Sequence, residues 1–374
     1  MMKTLSRTAQ IWSAVTCHRF SSIGDSSPMQ GRILWPGNFT GRPSAFDGDK
    51  SPAESADKSA RSTGCRFRAR RITSALLCLQ LLALVAAGTA HAKLNLVVTT
   101  PDLASVAEAI GGKAVEITTL TRPTEDPHFV DAKPSFVLKL NRADAVLEGG
   151  ADLEVGWLPA LLEQSRNPKL ATGAPGRLRA NTGIAMLEIP TTLDRSMGDV
   201  HAAGNPHFMM DPANARILAA YLADAFCKLD AASCDTYRAN LKQFSDELDA
   251  KLAEWQKRLA PFAGKRIVAY HNSWPYFGKR FGLNIDLFLE PKPGIPPTPT
   301  HMAEVIRKMK EGGVRVVFVE PYLSRRTAEK VAQETGATVV DVTQFPGALK
   351  GTAGYIPLMD HLVNAVAGAL EKGR

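Results

Sequence analysis

The sequence predicts an α/β protein of two lobes, each with a mostly parallel sheet flanked by helices, joined by one long rigid backbone helix. Three observations predict it. Short β-branched runs alternate with helical runs from Lys93 onward, one helical stripe of apolar residues persists from Ser233 to Leu259, and the alternation restarts after Gly264. Strands and helices alternating at this size are the pattern of βα units on a parallel sheet. The 374 residues leave room for two lobes with their own cores. A hydrophobic fraction of 45% with 22% charged residues is that of a soluble globular protein.

The leader precedes both lobes. Residues 1–65 are polar, rich in Ser, Gly and Pro and without periodicity, and read as disordered or as an extension wrongly included by starting the translation at an upstream codon. Over 66–92, Arg66, Arg68, Arg70 and Arg71 precede the apolar run "ITSALLCLQLLALVAAGTA" and the small-residue site Ala90-His91-Ala92. A basic region, a short apolar core and an A-x-A site make a secretory signal peptide, with cleavage expected after Ala92. The core, about 16 residues, is short for a membrane span. Cys78 lies in its middle, which argues against a lipid anchor. Residues 1–92 hold 12 of the 45 Lys+Arg and 5 of the 37 Asp+Glu, leaving 33 basic against 32 acidic residues. The body beyond the leader therefore offers no electrostatic footing for nucleic acid or an anionic membrane.

The predicted N-terminal lobe covers 93–232. "LNLVVTT" is a strand and "PDLASVAEAIGG" a helix opened by Pro and closed by Gly. "AVEITTLT" is a second strand running into the stiff, acidic loop "TEDPHFVDAKPS" at 124–135. "PSFVLKLNRA" follows as a helix, "DAVLEGG" as a strand and "DLEVGWLPALLEQS" as a helix. The stretch from "LRANTGIAM" to "NPHFMMDP" is turn-rich and aperiodic, and "PANARILAAYLADAFCKL" is helical.

Residues 233–261 form the predicted connector. Tyr237, Leu241, Phe244, Leu248, Leu252, Trp255 and Leu259 recur at steps of three and four, one face of a helix ~40 Å long. In the predicted C-terminal lobe, 262–374, "RIVAYH", "LNIDLFL", "VRVVFVE" and "ATVVDV" are strands. "SWPYFGKRFG", "PTHMAEVIRKMKEGG", "LSRRTAEKVAQETG" and "YIPLMDHLVNAVAGALEK" are the helices between and after them. Cys227 and Cys234, seven apart in an exported chain, are expected to form a small-loop disulfide rather than a metal pair.

Six histidines follow the leader: His128, His201, His207, His271, His301 and His361. His128 sits in the loop after the second strand, His207 directly ahead of a helix, and His271 at the end of the first C-lobe strand. Ligands of open α/β sheets bind beyond the carboxyl ends of strands, here a cleft shared by two lobes. Neutral imidazole suits zinc, and three imidazoles plus a carboxylate or water complete a tetrahedron. No HExxH, CxxC or His-x-His pair brings two ligands together locally. Taken singly, each histidine therefore reads as a solvated loop residue, or for His271 as one bonded to a strand-end carbonyl. His301 and His361 lie in helical runs and read as surface or helix-end residues; His201 reads as a residue that recruits metal transiently.

"TTPDLASVAEAIGG", "PTEDPHFVDAKPS", "RADAVLEGGADLEVGWLPALLEQS", "NPHFMMDP", "VAYHNSWPYFGKRFGL" and "VRVVFVEPYLSRRTAEKVAQETGATVV" occur in that order across 93–374. Together they resemble the periplasmic solute-binding proteins of zinc and manganese ABC transporters. The resemblance implies two α/β lobes bridged by a rigid helix, a divalent cation as bound solute, no catalysis, and an inner-membrane permease as partner. It implies His128, His207 and His271 as the first three ligands. Histidine in the third place is similar to zinc members, whereas manganese members carry glutamate, in line with borderline Zn²⁺ and harder Mn²⁺.

The fourth ligand departs from the pattern. Many members carry Asp in a V-x-x-L-D-P-type stretch, and "GATVVDVTQFPG" puts Thr343 there, with Asp341 two residues earlier on the same strand face. Asp341, Glu125 or a water is the expected fourth ligand. The long His/Asp-rich loop of some zinc members is reduced to His201. The expected function is capture of a divalent transition metal, Zn²⁺ ahead of Mn²⁺ or Fe²⁺, by a periplasmic monomer. The alternatives are a secreted zinc hydrolase with Glu125 or Glu320 as base, for which no catalytic motif is present, and a metal-binding adhesin on the same fold.

Overall fold

The computed structural model describes residues 92–192, 198 and 201–373. The expected extension at 1–65 and the signal peptide at 66–92, Ala92 apart, lie outside the described residues.

Leu94–Val98 (β1) pairs in parallel with Val115–Thr119 (β2) on one side and Ala145–Glu148 (β3) on the other, and Arg177–Arg179 (β4) adds a short edge. Arg266–Ala269 (β5), Asn284–Phe288 (β6), Val316–Val319 (β7) and Thr338–Asp341 (β8) make a second parallel sheet. The strand orders, β2-β1-β3-β4 and β6-β5-β7-β8, follow the same winding. The central strands are apolar on both faces because helices cover both sides of a parallel sheet.

The helices among the described residues are Pro101–Gly111 (α1), Pro134–Arg142 (α2), Leu158–Ser165 (α3), Pro212–Leu229 (α4), Cys234–Leu259 (α5), Pro275–Phe281 (α6), Pro299–Glu311 (α7), Arg325–Thr335 (α8) and Tyr355–Lys372 (α9). Proline opens α1, α2, α4, α6 and α7. At that position its missing N–H is no loss and its fixed φ suits the helix, so each loop from a strand end enters its helix at a set angle.

One expected helix is shorter than its apolar pattern suggests. "DLEVGWLPALLEQS" becomes helical only at Leu158, because Gly150, Ala151 and Asp152 pass through φ of 77°, 51° and 62°. The buried Glu154 carboxylate accepts from the N–H groups of Gly149 and Gly150 and the hydroxyl of Thr99, which rolls the segment into turns. β4 went unread within the turn-rich stretch because three residues carry no period.

α5 is bonded near its start to α1 and near its end to α9. Near its start the Asn240 amide donates to the Ile110 carbonyl of α1; near its end the Trp255 indole donates to Asp360 of α9, and Arg258 pairs with Glu371. One apolar cluster runs without a break from β1 and α1 through Phe208, α4 and α5 into β5, α6, β7 and α9. Two smaller clusters cover the opposite faces, one around Phe136, Leu140 and Trp157, the other around Val305, Met309 and Val317. A large apolar interface of this kind resists sliding of one sheet's layers over the other's.

Cys227 of α4 is disulfide-bonded to Cys234 at the start of α5. Cross-linking so short a loop restricts the unfolded chain by about 2 kcal/mol. Replacing both cysteines with serine is expected to lower the melting temperature by roughly 5 °C, read by scanning calorimetry, with metal binding unaltered. No helix among the described residues is long and apolar enough to cross a membrane.

Candidate metal centre

The carboxyl ends of the strands supply the site. His128 lies between β2 and α2, His207 just before α4, and His271 two residues beyond β5. The loop of His128 is pinned from behind, since the buried Trp157 indole donates to the Pro127 carbonyl at 2.9 Å. Asp126 accepts from the His128 backbone N–H at 3.0 Å and sits 2.8 Å from its Nδ1. Across the cleft, His271 Nδ1 lies 2.7 Å from Glu290 at the end of β6. A carboxylate can only accept, so both rings hold their proton on Nδ1 and present the Nε2 lone pair. His207 is buried, its N–H donates to Asn205 Oδ1 at 3.0 Å, and the Gln344 side chain engages its ring.

These supports bring the three rings into a near-equilateral triangle. Centroids are 5.3 Å apart for His128 and His207, 5.6 Å for His128 and His271, and 5.4 Å for His207 and His271. One ring nitrogen from each lies within 4.8 Å of the other two. A tetrahedral cation with metal–nitrogen bonds of about 2.0 Å needs nitrogens ~3.3 Å apart, so a small inward shift of the rings suffices. His128 Nε2 is buried without a hydrogen-bond partner, as a ligand atom facing a cation would be.

The electrostatics divide the rings. Burial, followed by the imidazoles of His128, His271 and His201, holds His207 well below its ordinary pKa of 6.5, so it stays neutral. Burial also works to lower His271, but the bond to Glu290, its charge and those of Glu320 and Asp126 outweigh it and raise the pKa. Burial works to raise Asp126, and the bond to His128 overrides it. Burial lifts the Glu320 carboxyl to about 7 against the pull of His271.

Two expected fourth ligands stay outside the triangle. Asp341 ends the edge strand β8, half exposed, and pairs with Arg325 at the start of α8. Glu125 turns back to accept from the Arg122 N–H at 3.1 Å. Thr343, laid on the family's Asp position, is buried and closes a local turn with the Phe345 N–H at 3.0 Å. Its neighbour Gln344 is the one that reaches the site, and it donates to the Tyr322 hydroxyl. His201 stacks 5.2 Å from His128, outside the group of three, and burial followed by the His128 charge depresses its pKa to about 4. A cleft of about 460 Å³ opens beside the triangle between His201, His207, Asn205, Asn272 and Pro293. His301 bonds the Phe288 carbonyl from the first turn of α7, and His361 lies half-buried within α9.

Sequence reasoning missed Glu290 and Gln344 as ring supports, whereas Asp126 belongs to the acidic loop expected to hold His128. Glu290 was findable as an acid closing an apolar strand; nothing marked Gln344.

The profile of the family described as zinc-uptake complex component A, periplasmic (ZnuA), matches residues 96–369. The chain belongs to the ZnuA family. The iron-binding protein YfeA of Yersinia pestis is 27% identical over 287 residues, spanning 75% of this chain and 86% of that protein. The manganese ABC transporter substrate-binding lipoprotein PsaA of Streptococcus pneumoniae is 24% identical over 292 residues, 76% and 91% of the two chains. A crystal structure of ZnuA superposes with a TM-score of 0.63 at 25% identity, covering 74% of this chain and 99% of that one. The manganese-bound periplasmic metal-binding protein of Candidatus Liberibacter asiaticus, at 21% identity and a TM-score of 0.62, shares the fold. This ZnuA-family protein is thus a periplasmic metal-binding component of an ABC transporter and not an enzyme. Its relatives bear the names of iron and manganese as well as zinc.

Proposed function

We propose that the protein captures Zn²⁺ in the periplasm as a monomer, after cleavage of its signal peptide, and hands it to an ABC permease in the inner membrane. His128, His207 and His271 hold the ion through ring nitrogens, and a water fills the fourth position. The observation that carries this reading is the donor set: three imidazoles converge, and among the described residues no carboxylate belongs to the group. Nitrogen donors favour borderline Zn²⁺ over the harder Mn²⁺, which prefers oxygen. Asp126 and Glu290 stand behind two of the rings, where they offset the dication's charge and raise the basicity of the ligands.

Calorimetric titration of chelator-stripped protein tests the reading. Zinc is expected to bind with sub-micromolar affinity and at least about a hundredfold more tightly than Mn²⁺. Equal affinity for the two ions, or no zinc binding at micromolar concentration, defeats it.

The pH dependence has a defined sign. The bond to Glu290 and its charge raise the His271 pKa above its ordinary 6.5, whereas burial keeps that of His207 well below it. Where His271 takes up a second proton zinc must displace it, so affinity falls as pH drops through the raised His271 range, by about tenfold per unit. Titrations in buffers of different ionisation enthalpy should show proton release per zinc rising toward one as pH falls through the His271 range. Glu290→Gln removes the charge that raises His271, and should shift the onset of the fall to lower pH.

A further inference from the structure

The loops that carry His207 and His271 meet in a direct bond between Asn205 and Asn272, and one acidic side chain outside the triangle bridges the same two residues. Glu188 Oε2 accepts from Asn205 Nδ2 at 2.9 Å and from Asn272 Nδ2 at 2.8 Å. Asn205 lies two residues before His207, and Asn272 directly follows His271. Asn205 engages every polar group it has: its Nδ2 also donates to the Asn272 carbonyl, its Oδ1 accepts from the His207 N–H, its N–H donates to the Leu187 carbonyl, and its carbonyl accepts from the Tyr276 hydroxyl. The Tyr276 hydroxyl in turn accepts from the Leu187 N–H at 2.9 Å.

Glu188 itself has φ of 53°, a left-handed conformation uncommon for a residue with a Cβ. Such a conformation persists only where the surroundings over-determine it, and it marks places where strain serves the site. Here both backbone groups of the preceding Leu187 are bonded, to Tyr276 and Asn205, and the Glu188 carboxylate spans the two ligand-bearing loops.

Resting on the metal site proposed above, we infer that Glu188 is a positioning residue that sets the His207–His271 separation before the ion arrives. The clamp joins a loop leading into α4 to a loop leaving β5, so the two rings cannot drift apart independently. Fixing them in the metal-free protein removes ordering cost from the binding step. Glu188 touches the ion at no point; it acts through Asn205 and Asn272.

The test compares the parent with Glu188→Ala, Glu188→Gln, Asn272→Ala and the Glu188→Ala/Asn272→Ala pair. Alanine keeps the Cβ, and so the backbone strain, while removing the acceptor; glutamine keeps an acceptor oxygen. Zinc affinity is expected to fall about tenfold in each single alanine variant and no more than about threefold further in the pair, because both break one clamp. Glu188→Gln should stay within about threefold of the parent, a rescue that a role in bulk charge would not give. In the metal-free protein, hydrogen exchange at the Leu187 and Asn205 amides should quicken about tenfold in Glu188→Ala, since both bonds belong to the clamped unit. Unchanged exchange, or losses of affinity that multiply in the pair, overturn the clamp. A parent that binds no zinc would defeat the proposed function instead, and the exchange measurement would still decide the clamp.

Discussion

His207→Ala is expected to lower zinc affinity by a factor on the order of 10³ while costing the metal-free fold little. A structural zinc site releases about 10–16 kcal/mol across roughly four ligands, so one ligand stands for ~3–4 kcal/mol, or two to three orders of magnitude. Full exaction of that figure is expected at His207 because it is buried and already neutral. No proton competes for it. In the metal-free state the same burial works the other way. A ring turned toward two other imidazoles gains little from its neighbours, so truncation should reduce stability by only about 1 kcal/mol. Zinc titration and thermal melts with and without the ion should therefore separate: the large stabilisation by excess zinc disappears, and the metal-free melt barely moves. Asp341→Ala is the matched control, since that side chain is committed to Arg325 on the surface. Retention of affinity within tenfold by His207→Ala would remove the central claim.

Trp274→Ala should destabilise the fold by about 4 kcal/mol, the range for truncating a fully buried tryptophan. The indole is completely buried, sits edge-on to Phe318 at 5.3 Å and Phe277 at 6.0 Å, and donates to Glu320 Oε1 at 2.9 Å. Truncation leaves a cavity and takes a donor from a buried carboxyl, two costs that add. Because Trp274 stands three residues after His271, zinc binding should weaken as well. Trp274→Phe keeps most of the packing and loses only the bond, at a cost of about 1–2 kcal/mol. Urea unfolding distinguishes the two; equal losses would mean that the bond to Glu320, and not the packing, dominates.

How much of this was legible in the sequence depends on the range of the interaction. Periodicity located α5, α7, α8 and α9 closely, because an apolar stripe is a local record of which face is buried. The three candidate ligands were legible only through the order of motifs across 93–374 and the resemblance those motifs carry, since no local spacing brings two of them together. Asp341 shows where such reasoning stops. Its strand face followed from alternation, but the Arg325 that pairs with it comes from a separate helix, and no local pattern encodes that meeting. Gln344 was invisible for the same reason, as it reaches His207 from a loop distant in the chain. The late start of α3 escaped notice because Glu154, an ordinary residue on any helical wheel, folds inward to gather N–H groups.

The unbroken apolar cluster that runs through both sheets has a consequence for biogenesis. Neither half can complete its interior until the other is present, so a chain emerging across a membrane has no finished first module waiting for the second. The triangle draws His128 and His207 from the early part and His271 from the late part, so the ion's seat comes into being only with the whole molecule. Partly made or clipped chains therefore lack the three-sided seat, and a periplasm holding such fragments would not lose metal to that seat.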